Sequence, residues 1–116
     1  MFDRDKIVLT GGGGFIGVHL ANYFRQNFHV VLFDNFRRNS IQYFPEVAAD
    51  SNVEIIEGDI RDAGLIAKVV DGAAAIIHLA AIAGVSNYME RPHEVLRVNI
   101  LGTTNVIDVA IEAGCK

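Results

Sequence analysis

Apolar residues in this chain follow two rhythms. Short continuous runs, at Lys6–Thr10 (KIVLT), 29–33 (HVVLF), Val53–Glu57 (VEIIE) and 75–80 (AIIHLA), alternate with stretches whose apolar positions recur every three or four residues. The runs read as β-strands buried on both faces, and the periodic stretches read as helices with one apolar side. A first helix opens near Gly14 and carries Ile16, Leu20 and Phe24 on one face. A second, 41–49, is short and broken at Pro45. A third, 62–70, sets Leu65, Ile66, Val69 and Val70 along its apolar side. The fourth spans 92–114, with Val95, Val98, Gly102, Val106 and Val109 on one face, and has proline at its start and glycine just past its end.

This alternation predicts an α/β fold, a parallel sheet covered by helices on both faces, formed by residues 1–116 as one domain. No linker, repeat or low-complexity stretch divides it. Right-handed crossovers give the strand order 3-2-1-4, with a crevice at the carboxyl ends of strands one and four where the chain changes direction across the sheet.

The segment facing that crevice is chemically distinctive. KIVLTGGGGFIG (6–17) ends a strand in Thr10 and a glycine cluster, and a helix follows. Gly11 can make the bend, Gly14 lets the backbone approach a pyrophosphate, and Gly17 lets the helix lie close on the sheet. The amides of Gly13, Gly14, Phe15 and Ile16 then open a helix whose positive end suits a diphosphate. No Gly-Lys-Ser/Thr follows, which excludes a Walker-type loop. Asp34, 23 residues after Gly11, ends the second strand where a dinucleotide fold places its ribose-binding acid. Its carboxylate repels a 2′-phosphate, so NAD is expected ahead of NADP. Arg37 and Arg38 are either a phosphate clamp or a solvated loop. Asp59 in EGDIRD lies at the same crevice and can accept from an adenine amine while Ile60 covers the ring; Asp62 is the better helix cap. His78 is expected to bond a backbone group within its strand.

Composition removes other classes. The 116 residues are 51% hydrophobic and carry a formal net charge of −4, with no basic stripe for a nucleic acid. A lone cysteine, Cys115, permits no internal disulfide. His19, His29, His78 and His93 are too scattered for a metal site. Nothing in the sequence resembles a membrane span or a secretion signal, so the expected compartment is the cytoplasm.

Together, TGGGGFIG, Asp34-Asn35, GDIRD, HLAA and VNILGT resemble the extended short-chain dehydrogenase/reductases, the NAD-dependent epimerase/dehydratase family acting on nucleotide sugars. The resemblance covers essentially the whole chain and implies a Rossmann-type fold. It also implies NAD-binding roles: Gly11, Gly14, Phe15, Ile16 and Gly17 for the pyrophosphate loop, Asp34, Asn35, Asn39 and Ser40 for the adenosine ribose, and Asp59 and Ile60 for adenine. Leu79, Ala80, Ala81 and Asn99 match positions flanking the nicotinamide half.

In that family a Tyr-x-x-x-Lys pair does acid/base chemistry. Tyr23, Tyr43 and Tyr88 are followed four positions later by Asn27, Val47 and Pro92, so no catalytic residue is assigned and the chain alone is expected to be inactive. It resembles the first half of such an enzyme, before the later strands and the substrate region. The implied parent activity is a UDP-sugar 4-epimerase working through a transient keto sugar, with a nucleotide-sugar decarboxylase or 4,6-dehydratase as alternatives. The segment 83–91, AGVSNYMER, is expected as a substrate loop. A stand-alone, non-catalytic NAD(H)-binding module is the alternative of another class. Strand four as an unpaired apolar edge, together with the last helix, leads to the expectation of a homo-oligomer.

Overall fold

The computed structural model describes residues 5–116. Four parallel strands, β1 (Lys6–Thr10), β2 (His29–Asp34), β3 (Val53–Glu57) and β4 (Ala73–His78), form one sheet in the order β3-β2-β1-β4. The continuous apolar runs have a direct cause, because alternate residues feed two cores. Ile7, Leu9, Val30 and Leu32 face a cluster with Val18 and Ala21 of α1 (Phe15–Phe24) and Val47 of α2 (Pro45–Ala48). Val8, Val31 and Phe33 face the other cluster, with Ile66, Val69 and Val70 of α3 (Ala63–Val70) and Val106 and Val109 of α6 (Thr103–Ala113). Each fully buried Val or Ile of this kind contributes about 1.5–3 kcal/mol over its exposed state, which is why both faces must be covered.

Helix ends follow local chemistry. Asp62 caps α3 by accepting from the Leu65 amide at 3.1 Å, as its position suggested. Gly114 closes α6 in the left-handed conformation, at φ 67°. A 3₁₀ turn, Ser40–Tyr43, precedes Pro45, which begins α2.

Several expectations change. The fourth strand is Ala73–His78 rather than 75–80: the Leu79 amide is shared between the backbone oxygen of Thr10, at 3.0 Å, and its hydroxyl, and the Ala80 amide turns to the hydroxyl. In α1 the buried face is Gly17, Val18 and Ala21, while Ile16 is 60% exposed. The segment 83–91 contains a helix, α4 (Val85–Glu90), with no buried residue. The helix expected over 92–114 is α5 (Pro92–Leu96), a π-helical stretch Arg97–Gly102, and α6. Its buried face is nonetheless the expected one, through Val95, Gly102, Val106 and Val109. The free edge of β4 is not bare either. The Lys116 amide donates to Ala74 O at 3.1 Å, and Lys116 O accepts from the Ile76 amide.

Candidate nucleotide-binding cleft

A cleft of about 840 Å³ opens where all four strands end. Its base is the glycine turn. Gly11 takes φ +69°, and a Cβ there would lie 2.8 Å from Ala80 N, so the turn rests directly on the segment after β4. A Cβ on Gly17 would lie 2.6 Å from Gly11 O and Gly12 Cα; the close packing this glycine allows is against the turn itself.

Two of the expected anion-facing amides are spent. Gly13 N donates to Asp34 Oδ2 at 2.9 Å, and Gly14 N donates to Gly11 O at 3.1 Å. Helix α1 starts at Gly14 without a side-chain cap, and the amides of Phe15, Ile16 and Gly17 find no partner among the described residues. These orphan donors carry the positive end of the helix, and all three residues line the cleft.

Asp34 stands at the end of β2. Its other oxygen accepts from Phe36 N at 2.9 Å, and Phe36 is the one described non-glycine residue with positive φ, 56°. The carboxylate thus fixes the loop leaving β2 as well as the glycine turn, and each oxygen keeps a lone pair for a further donor. Asn35 and Ser40 also line the wall; Asn39 does not. Ser40 is held there by its own amide, which donates to Gly13 O at 2.8 Å.

Beyond β3, Asp59 is gripped by Arg61. The guanidinium donates through Nε (3.1 Å to each oxygen) and Nη2 (2.6 Å), and the Arg61 amide donates at 2.8 Å. This pairing holds the Asp59 carboxyl below its ordinary pKa, burial opposing, and raises that of Arg61. Ile60 borders the cleft, but its side chain is 4% exposed and lies where a Gly102 Cβ would be, so it belongs to the core rather than to a ring-covering surface.

The opposite wall is Leu79, Ala80, Ala81 and Ile82. Asn99, expected beside a ligand, lies outside the lining. Its amide is used twice on Ile82, accepting from N and donating to O at 2.8 Å each. It sits in the π-helical stretch and fastens the wall to the helix. His78 also departs from expectation, because its ring joins two hydroxyls, Thr10 Oγ1 at 2.6 Å and Thr103 Oγ1 at 3.0 Å, rather than a backbone group.

Charged side chains absent from the expected site complete the rim. Glu94 accepts from Arg91 at 3.0 Å and pairs with Arg37 at 3.7 Å, joining the loop after β2 to α5. Arg91 also donates to Asn87 Oδ1. The i,i+3 spacing of Arg91 and Glu94 was readable in the sequence, but the Arg37 contact was not.

A parallel sheet, a glycine turn feeding an uncapped helix, and an acid ending the next strand define a Rossmann-type nucleotide-binding fold. Comparison with known proteins narrows the class. The model of the NAD dependent epimerase/dehydratase family matches residues 7–116, and the chain belongs to that family. It is 34% identical over 114 residues to the UDP-N-acetyl-alpha-D-glucosaminuronate decarboxylase of Bacillus cytotoxicus, covering 97% of this chain and 35% of that protein. Among solved structures it superposes on the UDP-N-acetylglucosamine 4-epimerase of Methanobrevibacter ruminantium with a TM-score of 0.88 at 26% identity, covering 99% of this chain and 36% of that one. The dTDP-glucose 4,6-dehydratase of Streptomyces venezuelae, solved with NAD bound, gives 0.82 at 30% identity, covering 95% and 37%. The chain therefore spans about a third of the length of these relatives. Among the described residues no helix is long and apolar enough to cross a membrane, and no group of three potential metal ligands occurs.

Proposed function

We propose that residues 1–116 form an NAD-binding domain of a nucleotide-sugar enzyme of the 4-epimerase type. The observation that carries this reading is the uncapped start of α1, whose amides face a cleft that Asp34 also lines, its carboxylate held beside the glycine turn by the Gly13 amide. The cleft volume, about 840 Å³, falls in the range of roughly 300–1,000 Å³ usual for cofactor sites. Phe15, Ile16 and Gly17 would hold the pyrophosphate, and Gly14 leaves room for it. Asp34, Asn35 and Ser40 suit the adenosine ribose, Asp59 with the Ile60 backbone the adenine, and Leu79, Ala80 and Ala81 the nicotinamide half. Asn39 and Asn99 would act through loop position rather than contact. NAD, when bound, supplies a hydride acceptor and donor for the sugar carbon, which makes a transient keto sugar possible. This chain's own residues bind and orient.

Preference for NAD over NADP follows from Asp34 and from the engagement of Arg37 with Glu94. A decarboxylase is the second reading, favoured by the 34% identity to the Bacillus enzyme. Calorimetric titration tests the cofactor. NAD should bind at least about tenfold tighter than NADP, and Asp34→Ala should erase most of that ratio by removing a charge-assisted bond and a repulsion. Equal binding of both by the unmodified chain, or no binding of either, overturns the reading.

A further inference from the structure

Behind the cleft wall runs a line of hydrogen bonds whose donors and acceptors permit one placement of the protons. Thr10 Oγ1 accepts from the Ala80 amide at 3.3 Å and, at 3.1 Å, from the Leu79 amide, which it shares with the backbone oxygen of Thr10 at 3.0 Å. A hydroxyl has two lone pairs and one hydrogen, so its O–H is left to donate, and the acceptor at 2.6 Å is His78 Nδ1. A ring nitrogen that accepts carries no proton. The neutral imidazole therefore has its hydrogen on Nε2, which lies 3.0 Å from Thr103 Oγ1 and donates to it. Burial favours the uncharged ring and is the single cause shifting its titration; no charged group of β1, α6 or the segment after β4 contributes.

We infer that His78 is a positioning residue of the nucleotide cleft: a neutral imidazole, protonated at Nε2 alone, that ties Thr10 and the amides of Leu79 and Ala80 to Thr103 at the start of α6. The inference rests on the NAD-binding reading for its consequence, though not for its geometry. The helix reaches the wall by two routes, Asn99 to Ile82 and Thr103 through His78 to Thr10. The wall in turn abuts the glycine turn, since a Gly11 Cβ would stand 2.8 Å from Ala80 N and 2.9 Å from Leu79 C. A displaced wall is thus felt at the turn. An added proton on Nδ1 would face an oxygen whose lone pairs are already used, and the line would break at Thr10.

Two measurements on the full chain test this. Long-range proton–nitrogen NMR at neutral pH should show His78 with Nδ1 unprotonated and Nε2 protonated; a protonated Nδ1 or an imidazolium overturns the inference. Calorimetric NAD titration should show Thr103→Val weakened about three- to tenfold, as expected for one lost hydrogen bond, with Thr103→Ser within about twofold of the unmodified chain. Equal affinity of the valine and serine variants overturns it. If the unmodified chain binds no NAD, the cofactor reading fails, and the NMR tautomer decides the His78 geometry by itself. If the valine variant does not fold, the tautomer and the serine variant decide.

Discussion

Substituting alanine for Gly17 sets two effects against each other whose sizes can be read from the packing. Glycine inside a helix costs about 1 kcal/mol relative to alanine, so propensity alone makes Gly17→Ala stabilising. The added Cβ, however, would lie 2.6 Å from Gly11 O, 2.6 Å from Gly12 Cα and 2.7 Å from Gly12 O. All three atoms are backbone, and no side-chain rotation relieves them. Overpacking of this kind costs about 1–3 kcal/mol, and a backbone obstacle places it at the upper end. The net loss is then about 1–2 kcal/mol, or about 4–8 °C in melting temperature for a domain of this size. Gly64 in α3 is the control, because its Cβ would meet nothing closer than Asp62 Oδ1 at 3.7 Å. Gly64→Ala should keep the propensity gain and melt up to about 4 °C higher. Thermal unfolding followed by circular dichroism on the two variants and the unmodified chain decides. The reasoning is refuted if Gly17→Ala is as stable as Gly64→Ala, since the glycine turn would then yield freely to the helix.

Acid should weaken the fold in a defined order. His29 and His78 both titrate below the ordinary histidine value, chiefly through burial, and for His29 this outweighs the half-exposed Glu54 carboxylate 3.3 Å away. The unfolded chain binds protons first, so stability falls as pH drops from about 6.5 toward the lowered folded values and levels off below them. Asp59, also lowered, adds a second decline that begins as pH falls below about 3.8 and is complete once the lowered folded value is passed and the Arg61 pair is lost. Urea midpoints that stay flat between pH 8 and pH 5 would contradict the first step. Self-association is expected through the helices rather than through β4. Leu96, Ile100, Ile107 and Ile111 form an exposed stripe at helical spacing along α5–α6, whereas Lys116 occupies the β4 edge at Ala74 and Ile76. Light scattering should show a second copy docking on this stripe and its loss in Ile100→Asp; a monomer persisting at high micromolar concentration would contradict it.

What was legible in the sequence divides along a physical line. Strands β1 and β3 were read with their bounds from apolar runs between turns, although only β1 is buried and β3, at the sheet edge, has no buried residue. The ladder fixed β4 instead. Its alanines carry no pattern, and pairing with β1 sets it at Ala73–His78, with a register shift between Lys6 and Ile7. Helix α4 buries none of its residues, and its apolar positions, Val85, Tyr88 and Met89, span a single turn, too short a pattern to mark a helix. The π-helical stretch left no trace either, because the spacing Val95, Val98, Gly102, Val106, Val109 is what a regular helix would show. The cleft follows the same rule. Gly11 and Asp34 were placed by motif offsets that backbone geometry enforces, and both line the cleft. The hydrogen-bond partners of Asn99 and His78, Ile82 on one side and the Thr10 and Thr103 hydroxyls on the other, were not legible because they are brought together only by the fold. Asp59 marks the boundary between the two cases. The motif GDIRD supplies the carboxylate and, two residues on, the guanidinium that saturates it. Any ligand amine reaching Asp59 therefore competes with Arg61, so, with adenine placed there as proposed, binding at that end of the cleft should tighten when the pair is loosened and not when it is strengthened.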